Sequence, residues 1–321
     1  MTFISAFRAD KGIVLGADSQ ETLGDWKMVV DKLDPRRSGK YDLAMGGAGL
    51  GHLVDSLFDH ILEWAEEIDT ISQREIIRFL RTKVRDFYAV EVAAYPSKQN
   101  KLISVVLCMK HVSHPDLFLF QIRGTTVVPV GPFALVSLDT PIIQHFVRRL
   151  YRKNLPISQC VLLTIYLFSI VGSISTCVGG DTCIVIAGPN GIRVHEALYV
   201  DKIQRNMDMF TKLIDKLVLS CPDTSLTHAN FESVINEFTG MAINLRNNYL
   251  YEFGQLAVKN ALTNPRYNGD PYPLVPAGTV IEYHEVSRQI KEDGSSTVSE
   301  EHSSAADIPN ILKSKSENAD K

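Results

Sequence analysis

The 321-residue sequence lacks the features that mark several specialised classes of protein. Its cysteines follow no paired spacing, which excludes a disulfide framework and a structural zinc site. Neither sign of charge dominates, because 33 basic and 37 acidic residues leave a net charge of −4, and we expect no nucleic-acid partner. The cysteines are Cys108, Cys160, Cys177, Cys183 and Cys221. Unpatterned cysteines are typical of a reducing compartment, so we expect a cytoplasmic protein without a metal or other cofactor.

Targeting segments and long hydrophobic runs are missing as well. The opening residues do not form the basic, apolar and small-residue succession of a signal peptide. The longest apolar stretch, CVLLTIYLFSIVG at residues 160–172, has 13 residues, whereas a membrane span needs roughly 20. We therefore interpret this stretch as a buried helix and expect no membrane association.

The pattern of apolar residues predicts groups of strands that alternate with pairs of helices. In chain order these are a hairpin at 2–20, a strand at 40–49, helices at 53–64 and 71–92, strands at 102–109, 117–122 and 125–131, helices at 142–151 and 157–171, and a hairpin at 183–198. Because the helices come in pairs and not singly between strands, the order favours an α+β protein whose antiparallel sheets carry helices outside.

The sequence changes character after Val200. Apolar residues keep helical spacing through much of residues 201–285, and we predict a helical C-terminal extension there. Residues 286–321 contain no aromatic residue, eight serines and mixed charge, and this composition predicts a disordered tail. The expected organisation is therefore a main domain at 1–200, the extension and the tail.

The first predicted hairpin brings a hydroxyl and a carboxylate together. If its turn is centred on Lys11, residue i faces residue 22 − i, and Thr2, Ile4 and Asp18 share one face of the sheet. Removal of Met1 would leave Thr2 with a free α-amine, whose reference pKa of about 7.7–8.0 suits a general base at neutral pH. Such an amine can activate the hydroxyl of its own residue, and a neighbouring lysine would keep it neutral.

Four segments resemble the proteasome β-subunit family and the similar bacterial proteasome-like peptidases of the heat-shock-locus V type. They are Thr2 itself, GIVLGADSQETLG at 12–24, VVDKL at 29–33 and AMGGAG at 44–49. These proteins are N-terminal-nucleophile hydrolases, and the resemblance implies a four-layer α-β-β-α sandwich of two antiparallel sheets flanked by helices. It covers residues 2 to about 200.

The resemblance implies four catalytic residues. Thr2 would be nucleophile and base, Asp18 and Lys32 a charge pair, and Gly46 the backbone donor to the oxyanion. The 16 positions from Thr2 to Asp18 and the 14 from Lys32 to Gly46 match the family spacing. Lys27 is a competing lysine, and the glycines could instead serve only a tight turn between a strand and a helix.

The family's supporting residues are not matched. The serine of its Gly-Ser-Gly turn would align with Pro132, and its Asp…Ser pair with Ser175 and Val178. Support would then come from Ser175, Thr176 or Asp181.

The resemblance also implies five wall residues for the first substrate pocket. The wall residues are Glu21, Val30, Asp34, Ala44 and Ala48. The two acids among them predict a preference for basic substrate side chains.

Three functions are compatible with this sequence. The first is a threonine-type hydrolase that acts on peptides or unfolded proteins, in a homo-oligomeric ring that an ATPase often feeds in such families. The second is a non-catalytic proteasome-like scaffold that binds partners, which the unmatched positions favour. The third is an amidase that acts on a small molecule.

Overall fold

The strands of the main unit form two large sheets and a small hairpin. A computed structural model describes residues 2–23, 26–95, 102–136, 141–189, 191–195, 197–263, 283–290 and 296–303. Its strands up to residue 249 are, in chain order, β1 (Ile4–Arg8), β2 (Ile13–Asp18), β3 (Gln20–Leu23), β4 (Trp26–Val29), β5 (Leu33–Ser38), β6 (Tyr41–Ala48), β7 (Ser104–His111), β8 (Leu117–Arg123), β9 (Thr126–Pro129), β10 (Phe133–Val136), β11 (Thr182–Gly188) and β12 (Gly191–Val194). One five-stranded sheet has the order β10-β1-β2-β11-β12 and the other the order β5-β6-β7-β8-β9, while β3 and β4 pair with each other. All neighbouring strands are antiparallel.

The α-helices of the described ranges are α1 (Gly51–Glu67), α2 (Gln73–Phe87), α3 (Pro141–Leu150), α4 (Ile157–Ile174), α5 (Ala197–Ser220) and α6 (His228–Thr263), with a π-helical turn at Tyr88–Val92. Helices α1 and α2 lie on the second sheet, and α4 and α5 lie on the first. Helices α1 and α2 bury Leu57 and Leu80 against the second sheet. The ring of Phe168 on α4 contacts that of Phe3 on the first sheet, with centroids 4.9 Å apart.

The two sheets pack face to face through a core of alternating apolar side chains. Ile4 and Leu15 from the first sheet meet Leu33, Val106 and Leu119 from the second. With helices on both outer faces, this arrangement is a four-layer α-β-β-α sandwich. The fold class predicted from the sequence is therefore confirmed.

Helix α4 is the apolar stretch that the sequence analysis assigned to the core. Within the described ranges it is the one helix long and apolar enough to cross a membrane. Eight of its 18 residues are buried. It packs against β1, β2 and β11 on one side and against α5 on another, which is the position of a core helix.

The first hairpin has a different register from the predicted one. Ile4 lies opposite Ala17, so the residue numbers of each facing pair add up to 21 and not to the predicted 22. The reason is a four-residue turn in which the N–H of Ala9 donates to the carbonyl of Gly12 at 2.8 Å, placing the turn centre between Asp10 and Lys11. Asp18 consequently lies on the face of Ser5, away from the Ile4 face that the sequence predicted.

The C-terminal third also departs from the expected boundaries. The chain divides into compact units at residues 1–249 and 250–321, because α5 packs on α4 and β11 and buries Ile203 and Met207. In the second unit, β13 (Tyr283–Ile290) pairs antiparallel with β14 (Ser296–Ser303). The disordered tail stays a prediction. Residues 291–295 and 304–321 of the predicted tail lie outside the described residues.

Candidate active site

A buried carboxylate at the end of β2 is the centre of the candidate site. Asp18 is 2% exposed and accepts hydrogen bonds on both oxygens. Its Oδ1 accepts from the backbone N–H of Phe3 at 2.8 Å, and its Oδ2 accepts from Lys32 Nζ at 2.8 Å and from the N–H of Gly179 at 3.4 Å. A buried charge is tolerated only when it is paired and hydrogen-bonded, and Asp18 meets both conditions.

Lys32 is the lysine that reaches this carboxylate. It is 8% exposed, directly precedes β5, and its Nζ also donates to the carbonyl of Gln20. The competing Lys27 lies on β4 and is exposed to solvent. The structure therefore joins Asp18 and Lys32 as the sequence predicted and leaves Lys27 outside the site.

Thr2 lies at the start of the same chain segment. It is half-buried, and the peptide group that joins it to Phe3 donates its N–H to Asp18. Thr2 is therefore linked to the Asp18–Lys32 pair through the N–H of the next residue in the chain. Met1 lies outside the described residues.

Gly46 lies inside strand β6 and not, as the sequence predicted, in a turn before a helix. β6 continues to Ala48, and α1 begins only at Gly51, so the dipole of α1 does not act on Gly46, because that effect is confined to the first turn. Gly46 pairs with Leu33, the residue after Lys32. A Cβ atom on Gly46 would come within 2.8 Å of Leu33 Cδ2 and 3.2 Å of Ile4 Cγ2, so a larger residue there would force these side chains to shift.

A loop before β11 closes the other side of Asp18. The N–H of Gln20 donates to the carbonyl of Gly179 at 3.0 Å, and its side-chain Nε2 donates to the carbonyl of Thr176 at 3.0 Å. Ser19 and Asp181 exchange two bonds, from Asp181 N–H to Ser19 Oγ at 2.8 Å and from Ser19 N–H to the Asp181 carbonyl at 3.0 Å. Ser19 and Gln20 were not predicted as site residues, although their position directly after Asp18 was a signal.

The predicted support residues reach the site through their backbone. Thr176 and Asp181 have exposed side chains, and the Ser175 hydroxyl accepts a bond from Cys177 N–H at 3.4 Å within the loop. Val178, at a family serine position, is 5% exposed. The loop therefore supplies backbone groups around Asp18 where the resemblance implied side-chain hydroxyls.

The alignment of Pro132 with a catalytic serine is wrong. The carbonyl of Pro132 accepts from the N–H of Arg8 at 2.9 Å, which places it at the end of β1 farthest from Thr2. β10 then runs antiparallel to β1 and ends with Val136 opposite Ile4. The residues that follow Val136 in the chain, 137–140, lie outside the described residues. Pro132 is therefore no argument against catalysis.

The five predicted pocket residues occupy two environments. Ala44 and Ala48 are 1% and 7% exposed and pack in the core between the sheets. Glu21, Val30 and Asp34 are half-buried, and the Asp34 carboxylate accepts from Arg36 Nε at 2.8 Å, which compensates its charge. None of the five lines the cavity of about 320 Å³ that opens beside Asp18. The preference for basic side chains stays a prediction.

The cavity beside Asp18 lies between α4, α5 and the loop at Gly179. Its lining includes Asp18, Phe168, Gln204 and Asp208, so α5 contributes to the surroundings of the site. Within the described ranges, no group of three His, Cys, Asp or Glu side chains is arranged to hold a metal ion.

Several solved structures have an architecture similar to that of this chain. The "Anbu (Gly-1) mutant" of Hyphomicrobium sp. strain MC1 has a TM-score of 0.57 at 16% identity, over 70% of this chain and 98% of its own. "Anbu (ancestral beta-subunit)" of Yersinia bercovieri has a TM-score of 0.56 at 15% identity, over 70% of this chain and 100% of its own. This chain has the proteasome-like N-terminal-nucleophile hydrolase fold. The "Helical Assembly of the Anbu Complex" of Pseudomonas aeruginosa has a TM-score of 0.53 at 15% identity, over 71% of this chain and 99% of its own.

These comparisons correct the family resemblance drawn from the sequence. The proteasome-like structures found are Anbu proteins, and a likeness at 15–17% identity shows the fold alone. No family model and no curated protein matches the chain. Membership of the proteasome β-subunit family or of the heat-shock-locus V type is therefore not supported, and only the proteasome-like fold remains.

The Gln20 side chain offers a test of the loop that closes the site. Replacing Gln20 by methionine keeps its length and removes the donor to Thr176, while the backbone bonds of Gln20 remain. We expect the free energy of unfolding to fall by about 0.5–1.5 kcal/mol, because one bond that holds the loop is lost. Chemical denaturation measures the effect. An unchanged free energy of unfolding would show that the backbone bonds alone hold the loop.

Proposed function

We propose that this protein is a threonine-type N-terminal-nucleophile hydrolase that cleaves peptide bonds after loss of Met1. The observation that carries the proposal is the Asp18 carboxylate, which binds both the Phe3 N–H and Lys32 Nζ at 2.8 Å in a buried position. This geometry holds the peptide next to Thr2 and a lysine cation at one point. A buried ion pair is costly to maintain, and a catalytic role gives a reason for its presence beside the N-terminus.

The proposed reaction uses the two functional groups of Thr2. The Oγ attacks the carbonyl carbon of the substrate while its proton passes, directly or through a water molecule, to the α-amine of the same residue. The tetrahedral intermediate collapses as its C–N bond breaks, and the leaving amine takes the proton back. A water molecule then hydrolyses the acyl ester by the same proton route and restores Thr2.

The surrounding residues hold this chemistry in place. Lys32 favours the neutral, basic form of the Thr2 amine, and Asp18 holds Lys32 and the adjacent backbone. For the oxyanion we propose the backbone N–H of Gly46, which lies between β5 and β7 and would have to leave its sheet pairing to bind the substrate oxygen. Gly46→Ala cannot test this role, because the added methyl group would also collide with Leu33.

For the natural context we propose a peptide or unfolded-protein substrate and assembly with further copies of this chain. The Anbu complex of Pseudomonas aeruginosa forms a helical assembly, which supports self-association as a property of the fold. A ring, an ATPase partner and a cytoplasmic location complete the proposal. The described cysteines are all free thiols, which is compatible with a reducing compartment.

Intact-mass measurement tests the proposal directly. We expect purified protein to have lost Met1 and to gain one probe mass with an electrophile that captures both the hydroxyl and the amine of an N-terminal threonine. If Met1 remains, Thr2 has no free amine and the catalytic proposal fails. The matched control is Thr2→Val, which keeps the β-branched shape and lacks the hydroxyl, and which should remain unlabelled.

A non-catalytic scaffold is the second candidate. The buried apolar Val178, where the resemblance implied a serine, favours it. A scaffold predicts no labelling of protein that has lost Met1, and identical behaviour of wild type and Thr2→Val towards peptide substrates. The same measurements therefore separate the two candidates.

We expect the two buried cysteines not to react with the electrophilic probe, so they will not obscure labelling of the N-terminal threonine. Burial raises the pKa of the Cys108 and Cys160 thiols to about 12. Because the thiolate is the reactive form, a raised pKa leaves only about 10⁻⁴ of each thiol deprotonated at pH 8. We expect alkylation of the native protein at pH 8 to modify the exposed Cys221 first, and Cys108 and Cys160 only after unfolding, as read by peptide mass spectrometry. Rapid modification of Cys108 in native protein would contradict its burial.

A further inference from the structure

A basic groove lies on α2, apart from the catalytic site. It encloses about 420 Å³ between α2 and the end of strand β9. Its lining residues are Gln73, Arg74, Ile77, Arg78, Arg81 and Pro129. Three arginines therefore line one groove in a chain whose net charge is negative, at −4.

Two of these arginines have no acidic partner within the described ranges. Arg74 and Arg78 are exposed, whereas the nearby Lys83 on the same helix pairs with Glu67 at 2.7 Å. Glu75, the acidic residue beside Arg74, has its carboxylate engaged by the Thr70 hydroxyl. The cationic charge on the groove is therefore available to a ligand.

The third arginine is fixed in position. Arg81 donates from Nη2 to the carbonyl of Val127 on β9 at 2.9 Å. Guanidinium carries five N–H donors, so this bond leaves further donors for a ligand. Half-buried Ile77 and Pro129 at the end of β9 add apolar surface to the groove. A rigid donor, two free cations and apolar walls together make a recognition surface for an anionic chain.

The spacing of the arginines selects the kind of anion. Arg74 and Arg78 are four residues apart, which is about 6 Å along a helix. Side chains that alternate on one face of an extended peptide are about 6.5 Å apart, so carboxylates at every second residue have nearly the same spacing as the two arginine positions on the helix. Arginine binds carboxylate through a bidentate fork, which rewards this match.

We propose that this groove binds an extended acidic segment of a partner polypeptide, with Asp or Glu at every second residue facing Arg74 and Arg78. The proposal is independent of catalysis at Thr2. It assigns α2 a docking function for proteins that carry alternating acids, and the fixed Arg81 would bind a backbone carbonyl or a third carboxylate of the same segment.

Fluorescence anisotropy with the full-length protein tests this inference. The probe is a fluorescein-labelled octapeptide with glutamate at alternate positions, and mass spectrometry confirms that it stays intact. Arg74→Gln/Arg78→Gln should weaken binding at least 10-fold. The control is the double variant Arg85→Gln/Arg148→Gln, which changes the charge by the same amount at exposed helical arginines outside the groove. It should weaken binding by less than 2-fold.

Two further ligands test which kind of anion the groove prefers. A peptide with the same number of glutamates in one block should bind at least 3-fold more weakly than the alternating peptide. Tripolyphosphate should compete only weakly, because its charges are too compact to span the two arginines. Equal binding by the block peptide, tighter binding of tripolyphosphate, or wild-type affinity in the groove variant with an unchanged melting temperature would each overturn the proposal.

Discussion

Replacing Asp18 by asparagine is expected to lower the free energy of unfolding by about 3–5 kcal/mol and the rate of peptide hydrolysis by about 10²–10⁴-fold. Asparagine can still accept from the Phe3 N–H, but it leaves the ammonium of Lys32 buried without a counter-charge. Breaking one half of a buried ion pair costs more than the pair contributes, because the remaining charge is not solvated. Urea denaturation and steady-state kinetics measure the two losses.

A double variant separates stability from catalysis. Asp18→Asn/Lys32→Met removes both charges, and we expect it to recover most of the lost stability, because a buried pair can be exchanged for neutral groups of similar volume. Its activity should stay as low as that of the single variant, since neither the lysine nor its carboxylate partner remains. Recovery of activity together with stability would refute a catalytic role for the pair.

Replacing Thr2 by valine is expected to reduce peptide hydrolysis by about 10⁴-fold or more, with a change of at most about 0.5 kcal/mol in unfolding free energy. Removal of the nucleophile eliminates the acyl-enzyme route, while a half-buried residue at the chain terminus contributes little to packing. Steady-state kinetics and thermal unfolding give both values, and intact mass must show that Met1 has been removed from both proteins.

Thr2→Ser is the matched control for this prediction. It keeps a hydroxyl beside a free amine, so we expect measurable hydrolysis and labelling by the same electrophile. Wild-type activity in Thr2→Val would show that a contaminant, or a different residue of this chain, hydrolyses the substrate. Such a result would favour the scaffold candidate for the Thr2 site.

Local patterns in the sequence predicted most of the layers. Helix α1 was evident from Leu53, Leu57, Ile61 and Trp64, which repeat at helical spacing and are buried against the second sheet. The short strands β3, β4 and β10 were not predicted, because four residues rarely show a clear alternation. Strand β5 was missed as well, since its LDPRRS sequence contains a proline and little apolar alternation.

The candidate catalytic residues could be selected by type and spacing, but their contacts could not be predicted. The spacing from Thr2 to Asp18 is a property of the chain, whereas the face on which Asp18 lies depends on a turn that is one residue different from the predicted turn. A shift of one residue moves every side chain of a strand to the other face. The predicted alignment of Pro132 failed for a different reason, since only the pairing of β1 with β10 shows which end of the sheet it occupies.

The sequence alone was sufficient for the layered α+β architecture, because periodicity is a local property of a chain, and spacing alone nominated Thr2, Asp18, Lys32 and Gly46 as candidates. Tertiary structure alone decided that Asp18 holds the Phe3 N–H and Lys32 together, and that the loop at Gly179 closes the site through its backbone. These contacts join segments up to 161 residues apart. They arise from turn geometry and from packing between layers, which no local pattern in the sequence encodes.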